Sequence, residues 1–70
     1  MPRYFFSIGE VDSPLDREGD ELLDDEQALK VAVAIAKGLR NEEEYERGTC
    51  LVVRNENTEI ICRVPLRLDG

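Results

Sequence analysis

Between Glu10 and Glu26 the chain carries nine acidic residues against a single base, Arg17. Asp16, Glu18 and Asp20 stand at positions 1, 3 and 5 of a calcium-loop pattern, a spacing at which carboxylates can converge on one hard cation. The pattern then breaks. Its sixth position, where the sharp turn needs glycine, is Glu21, and its twelfth, where a bidentate glutamate closes the shell, is Gln27. Segment 16–26 therefore reads as a solvated acidic lead-in to a helix, with a divalent cation or a basic ligand as the alternative occupant. No metal or other cofactor is assigned.

Catalytic chemistry finds little support. The chain has no histidine, so it lacks the usual general base near neutral pH, a histidine-based triad and a histidine zinc site. Ser7, Cys50 and Cys62 have no recognisable activating neighbour. The five glycines are scattered, and none forms a phosphate-cradling loop after a strand. A non-enzymatic protein is expected.

The elements that must position these residues can be read from periodicity. Arg3 to Ile8 is an aromatic, β-prone run stopped by Gly9; Tyr4, Phe6 and Ile8 share one face, Phe5 and Ser7 the other. Glu10 to Leu23 is a polar connection in which Asp20 to Leu23 could add a short strand. Asp24 reads as an N-cap with Gln27 completing a capping box, and Asp25 and Glu26 suit the positive end of the helix dipole. Ala28, Ala32, Ile35 and Leu39 then recur at helical spacing over roughly residues 25–40, with Glu26 and Lys30 as an i,i+4 pair.

Thr49–Arg54 and Glu59–Leu66 read as a hairpin around Asn55–Thr58. Sharing of faces favours pairing Leu51 with Cys62 and Val53 with Ile60. That register puts Cys50 and Cys62 on opposite faces, so two free thiols are expected. Pro65 lacks an amide donor and points to an edge strand.

The expected fold is α+β, one small domain over residues 1–70. It has an antiparallel sheet of three strands, four if 20–23 pairs, in the order β(β)αββ, with one helix on one face. The expected core is Tyr4, Phe6, Ile8, Leu29, Ala32, Ile35, Ala36, Leu39, Leu51, Val53, Ile60, Cys62 and Val64. The face away from the helix would then carry Phe5, Ser7, Val52, Arg54, Ile61 and Arg63, a mixed apolar and arginine patch suited to protein contact. A chain of 70 residues has little core to spare, so a homodimer through that face is the leading expectation, with an unknown protein, basic in character, as the other expected partner. The formal net charge of −7 repels nucleic acid and anionic membranes. With no leader and no long apolar run, the expected location is the cytoplasm.

Four features together carry a family resemblance: the opening M-P-R-Y-F-F, the run Asp16-x-Glu18-Gly19-x-Glu21-Leu22, the acidic helix start with Ala28 behind it, and the final hairpin. The chain resembles, over nearly its whole length, a family of short bacterial proteins known as a domain of unknown function, whose members typically begin M-P-R-Y-F-F-H. It departs at Ser7, where the family's histidine would stand, and near Thr58, where the hairpin turn usually has glycine. The resemblance implies no activity, cofactor or partner.

Overall fold

The computed structural model describes residues 1–9 and 17–67. Its elements run β1 (Arg3–Ile8), β2 (Asp20–Glu21), α1 (Asp25–Glu42), β3 (Cys50–Arg54) and β4 (Ile60–Pro65). The four strands form an antiparallel sheet in the order β2-β1-β3-β4. The fold is α+β, as the sequence indicated. The short strand at Asp20–Glu21 exists and pairs with Arg3 and Tyr4.

The helix starts where its capping residues dictate. Asp24 has extended backbone, and its Oδ1 accepts the Gln27 amide at 2.9 Å, meeting a donor that the first turn leaves without a helical partner. The Gln27 side chain bends back one residue further than a standard capping box, to the Leu23 amide at 2.7 Å. At the far end the Glu43 amide still reaches the Leu39 carbonyl, so α1 runs two residues beyond the expected boundary.

Ala28, Ala32 and Ala36, spaced by four, are fully buried against the sheet. A row of methyl groups lets the helix lie close on its partner strands, with Val31, Ile35 and Leu39 packed along it. Leu29, expected in the core, is instead 44% exposed. The alanine row takes the contact, and a residue next to Ala28 in sequence lies about 100° round the helix from it. The sheet contributes Tyr4, Phe6, Leu51, Val53 and Val64 to the core, and Leu66, just past β4, joins them. Each fully buried aliphatic side chain there contributes roughly 1.5–3 kcal/mol.

The hairpin departs from the expected register. Leu51 pairs with Val64 and Val53 with Cys62, two residues along from the anticipated partners. A slip of two keeps every side chain on its face, so Cys50 and Cys62 are on opposite faces, as expected, and both are free thiols. The ladder then shifts between Val53 and Arg54, which brings Ile60 opposite Arg54. This bulge sets Ile61 and Cys62 together against Val53. Ile61 consequently packs toward the core, while Ile60, expected inside, is 37% exposed on the opposite face.

Candidate protein-interaction surface

Cross-strand partners share a face, so the register assembles the sheet surface away from the helix. One row is Phe5, Arg54 and Ile60; the next is Ser7, Val52 and Arg63. Of the residues expected to form a contact patch, Phe5, Arg54 and Arg63 are placed there with exposed or half-buried side chains. Ser7 and Val52 lie on the same face but are buried, at 2% and 0% exposure. Val52 sits mid-sheet, paired across the strands with Ser7 and Arg63. The Arg54 guanidinium donates to Ser7 Oγ at 3.1 Å. Ile61 leaves the patch altogether because of the bulge, and Ile60 enters it. Sequence alternation gave no signal for that exchange.

Arg3 belongs to the same face and was not anticipated. Its guanidinium donates to the Glu18 carbonyl and forms a 2.7 Å ion pair with Glu21. Gly19 packs beneath. At φ +71° it lies so close that a Cβ would stand 2.6 Å from the Tyr4 carbonyl and 2.8 Å from the Phe5 ring. Leu22 closes the unit by donating its amide to the Pro2 carbonyl at 3.0 Å. The opening M-P-R-Y-F-F and the run Glu18-Gly19-x-Glu21-Leu22 are thus two halves of one packed strand pair, so a structural demand accounts for both.

A second concave region lies at the helix start. Pro2, Tyr4, Leu23, Asp24, Asp25, Glu26, Asn55, Glu56 and Asn57 line a cleft of about 720 Å³. Three of its carboxylates already serve the fold. Asp24 caps α1, Asp25 accepts the Tyr4 hydroxyl at 2.7 Å, and Glu56 accepts the Arg3 amide at 2.7 Å. Among the described residues no group of three or more histidine, cysteine or acidic side chains is arranged to hold a metal ion; Asp16 lies outside the described residues. Burial pushes the Cys62 thiol above its ordinary value, and the Asp25 charge adds to that, which makes it a poor nucleophile. No helix among the described residues is long and apolar enough to cross a membrane.

These features define a small α+β domain with an aromatic–arginine sheet face and an acidic cleft largely committed to structure. A family model described as a domain of unknown function, DUF6894, matches residues 3–67, and the chain belongs to that family. No curated protein and no solved structure matches it.

Proposed function

We propose that the chain is a non-enzymatic, cytoplasmic interaction module that docks an acidic partner protein on the sheet face away from its helix. One observation carries the reading. The bulge turns Ile60 outward into a row with Arg54 and Phe5, so an aliphatic, a guanidinium and an aromatic group line up across three strands. Arg and aromatic side chains are the types that most often anchor protein interfaces. Arg63 widens the row with a second guanidinium.

Charge selects the partner. A second copy laid face to face across a twofold axis sets arginines near arginines, a juxtaposition that costs affinity. An acidic segment with an apolar side chain between its carboxylates complements both the guanidinium groups and Ile60. This choice favours an acidic partner over a second copy on this face.

The test is site-specific photocrosslinking in the native cell, with the crosslinking residue introduced at position 63, or at position 57 in the acidic cleft. The reading expects a discrete heterologous adduct from position 63 that disappears on Phe5→Glu. Adducts from position 57 alone would overturn it.

A further inference from the structure

The helix carries one apolar strip that the sheet leaves uncovered. Leu29 and Val33, one turn apart, are 44% and 47% exposed. Their flank continues to Arg40, one heptad beyond Val33, whose guanidinium donates to the Pro65 carbonyl on β4 at 2.8 Å. The strip therefore runs along the β4 side of the molecule. The exposed residues along it have a definite order: Glu26, Leu29, Lys30, Val33, Lys37. An acid stands at its N-terminal end, Leu29 and Val33 with Lys30 between them in the middle, and a base at the C-terminal end.

Such an order complements itself in only one orientation. In a parallel pair, Glu26 meets Glu26 and Lys37 meets Lys37. In an antiparallel pair, acid meets base at both ends. We propose that α1 pairs antiparallel with α1 of a second copy, about a twofold axis level with the peptide bond between Val31 and Ala32. With a helical rise of about 1.5 Å per residue, this axis puts Glu26 level with Lys37 of the second copy. Leu29 then comes within about 1.5 Å, along the axis, of Val33 of the second copy. Twofold symmetry makes each contact twice. Glu26, now 3.8 Å from Lys30 of its own helix, gains a second ammonium group, and the exposed Leu29 and Val33 are covered. The three- and four-residue spacing of Glu26, Leu29 and Val33 is the one at which helices interlock along a seam.

This interface is separate from the sheet face. The dimer therefore leaves the arginine–aromatic face open, and one assembly could present two copies of it. A seam of this size belongs to the small end of protein interfaces, so association is expected only at high concentration.

Sedimentation equilibrium over a wide concentration range tests it on the intact chain. The wild-type mass should climb toward twice that of the monomer. Glu26→Lys alone and Lys37→Glu alone should each weaken association about tenfold, because two attractions become two repulsions. The double variant Glu26→Lys with Lys37→Glu should restore it, and Leu29→Glu should abolish it, all with unchanged far-ultraviolet circular dichroism. Phe5→Glu should leave the mass unaffected. A wild type that stays monomeric up to its solubility limit overturns the proposal, as does a double variant no tighter than either single one.

Discussion

The Tyr4 hydroxyl donates a 2.7 Å hydrogen bond to Asp25 Oδ1, fastening the first strand to the first turn of the helix. The two residues are far apart in the chain, and the bond closes the N-terminal end of the helix–sheet layer. Tyr4 is 2% exposed, and its pKa is pushed up from 10.0 to about 12, chiefly by this bond and then by burial and the nearby acids.

That shift has a pH signature. A group whose folded-state pKa lies above its unfolded one contributes fully below the unfolded value and loses the contribution as pH rises through the folded one. Wild type should therefore be more stable than Tyr4→Phe at pH 8, and the gap should close between pH 10.0 and about 12. Urea midpoints at pH 8, 10 and 11 read this directly; a gap independent of pH would contradict it.

Thr58 has φ +63°, a left-handed conformation that β-branched residues rarely adopt. The turn around it is built by Asn55, whose Oδ1 accepts the amides of Asn57 and Glu59 at 2.9 and 3.0 Å, and whose carbonyl accepts the Thr58 amide at 3.0 Å. That network fixes the backbone, and Thr58 bears the strain. Thr58→Gly should stabilise the protein by ~1 kcal/mol, since removing the strain outweighs glycine's extra unfolded-state freedom. Thermal or urea denaturation measures it.

The bulge predicts unequal fates for two adjacent isoleucines. Ile61→Glu puts a carboxylate against the core and should cost about 2 kcal/mol or more. Ile60→Glu alters an exposed position and should stay within about 1 kcal/mol of wild type. Equal losses would place both side chains on one environment and remove the bulge from the account.

The β4 edge is guarded. The Leu66 amide bonds to the Thr49 carbonyl at 2.9 Å, and ladder alternation on the regular side of the bulge then turns the amide and carbonyl of Arg63 and the carbonyl of Pro65 outward. Pro65 has no donor to offer, and Arg40 occupies its carbonyl at 2.8 Å. These are common means of blunting a sheet edge against strand addition. Arg40→Ala combined with Pro65→Val should open it, giving concentration-dependent light scattering and thioflavin binding that neither wild type nor Arg40→Ala shows to the same extent.

Much of this architecture is legible in the sequence because local physics decides it. The Asp24 cap, the acidic first turn and the alanine repeat specify α1, and Gly9 ends β1. The hairpin register is harder to read, because a slip of two residues preserves every face and the apolar pattern cannot choose between the alternatives. A bulge breaks the period-two rule at one point, so Ile60 and Ile61 exchange places without any change in composition. Leu29 reads as core because the helix has a wider apolar arc than the sheet covers. The residues of the outer sheet face follow the same division: Phe5, Arg54 and Arg63 are readable from alternation, whereas Ile60 depends on the bulge and Arg3 on its pairing with Glu21.

The outward row Phe5–Arg54–Ile60 is the centre of the proposed docking face. The decisive measurement is the yield of the heterologous adduct formed through a photocrosslinker at position 63, compared between the otherwise wild-type chain and Ile60→Glu at equal folded population. Loss of a central interface anchor should lower that yield about tenfold or more. An adduct formed equally well with Ile60→Glu would contradict the assignment of this face.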